Sequence, residues 1–196
     1  SECLSNFYLG TSHHDLCRTL LLYLKHDAKF HWSMSSNLYA FHLLMLIWER
    51  METTGKSFGS FTPSTLVEIA SEYVNRRRTK MAASPYQLML CELCDVLLLI
   101  MKRQTKRAVS LWKKLGNKRT VANYLVAMVD LHIAKNCDES IEFRCQLASK
   151  AVLVFATVGT VELQKQAVRF LAHHGHNRQR NKSIMSINFS KTEQKL

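Results

Sequence analysis

The chain has 196 residues, 47% of them hydrophobic, with 6 glycines and 2 prolines, and 27 lysines and arginines against 15 acids give it a net charge of +12. So apolar a composition excludes a disordered chain, and the scarcity of glycine and proline excludes a turn-rich β architecture, leaving an all-α reading. The charge is unevenly placed: residues 1–75 carry a net of −2, residues 76–120 a net of +10 and residues 121–196 a net of +4.

The first predicted helix is "SHHDLCRTLLLYLKH" (12–26), with Leu16, Leu20, Tyr23 and Leu24 on one side. "SNLYAFHLLMLIWERMETTG" (36–55) has Ser36 as its expected N-cap and Gly55 as its stop. Its aromatics Tyr39, Phe41 and Trp48, like Trp32 before it, read as core. A third helix opens on Thr62-Pro63, the favoured cap and first-turn pair, and buries Leu66, Ile69, Ala70, Tyr73 and Val74. It ends in Arg76, Arg77 and Arg78, with Lys80 close behind, a compact cluster that serves as a candidate nuclear localisation signal. Ser84, Pro85 and Gln87 form a capping-box pattern that opens a helix to about residue 101. Its run "YQLMLCELCDVLLLIM" (86–101) contains Glu92 and Asp95 and is too short and too charged for a membrane span. No leader peptide is recognisable and no transmembrane segment is expected, so any membrane contact is peripheral.

The second half repeats the plan. A basic helix ends at Gly116, Asn117 is placed to cap 118–136, Asp138 to cap 139–159, and Thr160 to cap 161–175. Linkers of a few residues predict antiparallel neighbours. The expectation is two consecutive helical bundles of about four helices each, residues 1–103 and 104–196, with the polar stretch 75–84 as the rival joint.

No phosphate-binding glycine loop, nucleophile elbow or paired carboxylates occur, so no enzyme activity and no cofactor are expected. The six cysteines (3, 17, 91, 94, 137, 145) read as thiols of a reducing compartment, with Cys91 and Cys94 packed in an aliphatic core. "HHGH" (173–176) has the ligand type for a metal, with His132, Cys137 or Cys145 as partners in space, but reads better as a solvated basic terminus; no metal is expected.

The chemistry sits in "KRQTKRAVSLWKKLGNKR" (102–119), which holds eight basic residues and no acid. Projected at 100° per residue, Lys102, Arg103, Lys106, Arg107, Lys113 and Lys114 fall within roughly 140°, with Lys118 and Arg119 following. Ala108, Leu111, Trp112 and Leu115 take the other side, and only Val109 strays from it. An acid-free basic face predicts an anionic partner, either lipid or nucleic acid. The absence of exposed aromatics beside the row favours lipid over single-stranded RNA. A helical nucleic-acid-binding protein and an intracellular adaptor for an acidic partner are the alternatives.

Within that stretch "RAVSLWKKL" (107–115) resembles the amphipathic basic helix of orthomyxovirus matrix proteins, which in influenza-type members reads R-A-V-x-L-x-x-K-L. Arg107, Ala108, Val109, Leu111, Lys114 and Leu115 match in place, and Trp112 stands where the family has tyrosine. The family's R-K-L-K-R motif appears as Lys113-Lys114-Leu115-Gly116-Asn117, with charge resuming at Lys118-Arg119, and its Cys/His zinc element has no counterpart. The resemblance implies a viral structural protein that coats the inner face of the envelope and self-associates into a layer. Its implied partners are anionic phospholipid, further copies of itself, viral ribonucleoprotein and its RNA, and viral glycoprotein tails. Its implied locations are the virion, the host cytoplasm and nucleus, and the inner face of the plasma membrane.

Overall fold

The computed structural model describes residues 34–55, 57, 61–80, 85–116 and 123–175. Seven helices run through them: α1 (Met34–Thr54), α2 (Pro63–Lys80), α3 (Pro85–Met101), α4 (Thr105–Leu115), α5 (Asn123–Asn136), α6 (Ile141–Val158) and α7 (161–175). No extended strand occurs among the described residues, and the fold is all-α. The expected helix over 12–26, the expected cap Asn117 and the tail from His176 lie outside the described residues.

Most helix ends obey their local chemistry. Gly55 closes α1 at φ 65°, donating to the Met51 carbonyl at 2.9 Å, a conformation that costs other residues more. Thr62 caps α2 by accepting the Thr65 N–H on its hydroxyl at 3.2 Å. Two caps differ from expectation. Ser36 lies inside α1, which begins at Met34. The cap of α6 is Ser140, which accepts the Phe143 N–H at 3.3 Å, and not Asp138. Both residue types cap well, so local chemistry leaves a choice of a turn's fraction that the incoming chain direction settles. Replacing Ser140 with alanine should cost about 1 kcal/mol and lower a thermal unfolding midpoint by about 2–4 °C. An unchanged midpoint would show that the cap adds nothing.

The most apolar helix, α3, takes the centre. It packs against α1, α2, α4 and α5, and its Leu90, Leu93, Val96, Leu97 and Ile100 are fully buried. A helix this apolar needs neighbours on most of its sides, and a core position supplies them. No helix among the described residues is long and apolar enough to cross a membrane. Cys91 and Cys94 are buried on the same helix, as expected. After the turn at 102–104, α5 and α6 make the most extensive helix pair, and α7 adds Leu163 and Ala167 to the core. One cluster of buried side chains takes in residues from all seven helices. Residues 75–80 of the rival joint are the last turns of α2.

Candidate functional site

The basic stretch divides into a turn and a helix. Lys102 and Arg103 do not continue α4; they close α3. The Arg103 N–H donates to Ile100 and the Gln104 N–H to Leu99, both at 2.9 Å, which is the hydrogen-bond pattern of a Schellman turn. That turn needs a left-handed residue, and Arg103 supplies it at φ 59° where glycine is usual. The strain, about 1–2 kcal/mol, is offset by what the side chain gains. Its guanidinium lies over the Trp48 ring, 4.8 Å from the centroid, and pairs with Glu52.

Helix α4 then starts at Thr105 with no side-chain cap on Gln104. Its inner side buries Ala108, Val109, Trp112 and Leu115 against the core, with Leu111 half-buried. Lys106, Arg107, Ser110, Lys113 and Lys114 are exposed. With Lys102 and Arg103 removed to the turn, these five span roughly 120° of the helix. Val109 lies about 40° outside this narrower arc and is buried, 2% exposed. Lys106, Ser110, Lys113 and Lys114 share one shallow depression with Val109 and Glu139.

The row is not free of acids, contrary to the reading of 102–119 alone. Glu139 approaches from the segment before α6 to 3.6 Å from the Lys113 ammonium, which also lies 5.0 Å from the Phe143 ring centroid. Glu52 of α1 takes Arg103. A linear segment cannot reveal partners that arrive from other helices. Lys102, Lys106 and Lys114 have no ion-pair partner among the described residues, and Arg107 donates to Gln104 at 2.7 Å. Lys118 and Arg119 lie outside the described residues. Arg76, Arg77, Arg78 and Lys80 fall in the last turns of α2, a position favoured by the helix dipole; their side chains lie outside the described set.

A second polar centre, deep in the molecule, was not legible beforehand. His42 and Glu49 of α1 meet His132, Lys135 and Asn136 of α5. His132 Nδ1 lies 2.8 Å from Glu49 Oε1, and His132 Nε2 lies 2.8 Å from His42 Nδ1. Lys135 pairs with Glu49 Oε2, and the Asn136 amide donates to Glu49 Oε1. Since a carboxylate only accepts, His132 Nδ1–H donates to Glu49. The second bond joins His132 Nε2 and His42 Nδ1, one of which donates according to the tautomer. Burial alone would raise the Glu49 pKa, but the bonds and charges of His132 and Lys135 outweigh it and hold the carboxyl well below the usual range. Burial, with His132 and Lys135 adding to it against the pull of Glu49, drives the His42 pKa well below the ordinary 6.5. His42 Nε2 is buried without a hydrogen-bond partner among the described residues. The i, i+7 placement of His42 and Glu49 on an apolar helix was the available signal, but it does not name the partner helix.

His132, named above as a ligand type, is therefore committed to this chain of bonds. Cys137 is buried, and burial, followed by Glu139, pushes its thiol up to about 12, keeping it protonated. His173 and His174 stack edge to face at 5.0 Å, with His174 also 4.4 Å from the Phe170 ring. No group of three metal-ligating side chains is gathered among the described residues. Comparison with family models, curated proteins and solved structures finds no match to this chain.

Proposed function

We propose that this chain is a peripheral structural protein of the matrix type, which lays the exposed face of α4 on anionic phospholipid and assembles into a layer. The observation that carries this reading is the row of exposed cations at Lys106, Arg107 and Lys114 on α4, with Lys102 in the turn before it, on a helix whose apolar side is already used by the core. Such a face docks through charge and not through insertion. The likeness of residues 107–115 to the orthomyxovirus matrix helix supports the same reading, and from it come the links to ribonucleoprotein and to the envelope.

The magnitudes explain why assembly belongs with it. Each basic residue near an anionic leaflet contributes about 1 kcal/mol, so four give roughly 4 kcal/mol, a millimolar attachment. One copy would hold weakly, whereas a layer of copies sharing one surface holds firmly through effective concentration. Exposed apolar side chains Leu153 and Val158 on α6, and Val161 and Val168 on α7, offer contact area for neighbouring copies. Lys113 adds to the face when a phosphate displaces Glu139, because a pair this exposed is weak.

Vesicle flotation tests the reading. The protein should float with phosphatidylserine vesicles at about 0.1 M salt and detach near 1 M, as the Debye length shrinks from about 10 Å to about 3 Å. It should ignore neutral vesicles. Flotation with neutral lipid at high salt would show insertion instead. Complete displacement by RNA at equal phosphate would point to the nucleic-acid reading, although Trp112, the one aromatic ring in α4, is 1% exposed and is closed to base stacking.

A further inference from the structure

We propose that Ser110 is a phosphorylation site for a basophilic protein kinase, and that its phosphate turns off the attraction of the α4 face for anionic surfaces. Three features of this residue converge. Its side chain is exposed in the middle of the charged arc, in the depression shared with Lys106, Lys113 and Lys114. Arg107 and Lys106 stand three and four residues before it, both exposed, and Leu111 follows it. A basic residue at that distance before the acceptor is what a kinase with carboxylate-lined subsites selects. Finally, α4 has a weak N-terminal end. Gln104 makes no side-chain cap, so the first turn of the 11-residue helix can open locally to present an extended acceptor.

The reaction is an ordinary phosphoryl transfer. Ser110 Oγ bonds to the γ-phosphorus of a nucleoside triphosphate as the bond to the bridging oxygen breaks. The nucleoside diphosphate leaves, and the hydroxyl proton passes to the kinase's base. The product carries a charge of about −1.5 to −2 one helical turn from Lys106 on one side and from Lys113 and Lys114 on the other. Those ammonium groups, with the Arg107 guanidinium three residues before Ser110, are within reach of the new phosphate and pair with it. The helix is kept, while the cations that faced outward are occupied from within. Glu139, the acid nearest this cluster, is displaced from Lys113.

The lipid consequence rests on the proposed function; the acceptor itself does not. Each cation contributes about fivefold to partitioning, so a phosphate that cancels about two of them should weaken attachment about thirtyfold. The full-length chain and its Ser110→Ala variant are treated with a basophilic kinase and magnesium-ATP, beside a peptide of residues 102–119. Mass spectrometry should place one phosphate on Ser110 of the wild-type chain, more slowly than on the peptide, and none at that position in the variant. The phosphorylated chain should then leave a heparin column at lower salt and lose flotation with phosphatidylserine vesicles. No incorporation at Ser110 of the folded chain overturns the site. Incorporation with unchanged heparin elution overturns the switch. If elution shifts but even the unmodified chain fails to float, the switch stands and the lipid reading falls.

Discussion

Replacing Glu49 with alanine should cost about 3–5 kcal/mol of folding stability. The carboxylate is 10% exposed and receives bonds from His132, Lys135 and Asn136, so its removal orphans the buried His132 Nδ1–H and takes the counter-charge from Lys135. Glu49→Gln should cost less, because the amide still accepts from His132 and Lys135, 28% exposed, can turn toward water. The same centre makes stability depend on acid. Glu49 is depressed in the folded state, so its contribution is full above the ordinary 4.5 and is lost as pH falls below that value. His42 is also depressed, so below the ordinary 6.5 the unfolded chain binds a proton that the folded one refuses. Both effects remove stability as pH falls, His42 beginning first. Denaturant unfolding from pH 7.5 to 4 should show a decline starting below about pH 6.5. His42→Gln keeps a hydrogen-bonding amide beside His132 but does not titrate, and should flatten the upper part of that decline. If the variant retains the full slope between pH 6.5 and pH 5, His42 is not its source.

The second large effect concerns the surface. Changing Lys102, Lys106, Arg107 and Lys114 together to glutamate should abolish flotation with anionic vesicles. Losing four attractive charges alone amounts to about 4 kcal/mol, roughly a thousandfold in partitioning, and the added repulsion takes it further. The helical circular dichroism should be unchanged, because all four side chains are exposed. Arg103 is left out deliberately. It holds the left-handed position of the α3–α4 turn against Trp48 and Glu52, so its reversal would confound folding with binding. Lys113 is left out because Glu139 already pairs with it. A quadruple variant that floats as well as the parent would remove the α4 face from the function.

Helix content, the buried character of α3, the buried side of α4 and the exposure of its cations were all legible in the sequence. They follow from composition and 3.6-residue periodicity, which act over a few turns and need no knowledge of neighbours. The stops at Gly55 and Gly116 were legible for the same reason, since a helix end with positive φ favours glycine. Tertiary structure alone decided the rest. Lys102 and Arg103 belong to a turn because Trp48 and Glu52, some fifty residues earlier, are there to receive Arg103. The charge of the basic row is lowered by Glu52 and Glu139, which no reading of 102–119 contains. The buried bond chain from His42 through His132 to Glu49 joins residues up to 90 positions apart. Its energetics arise from low dielectric and mutual satisfaction, properties of a packed interior and not of any segment.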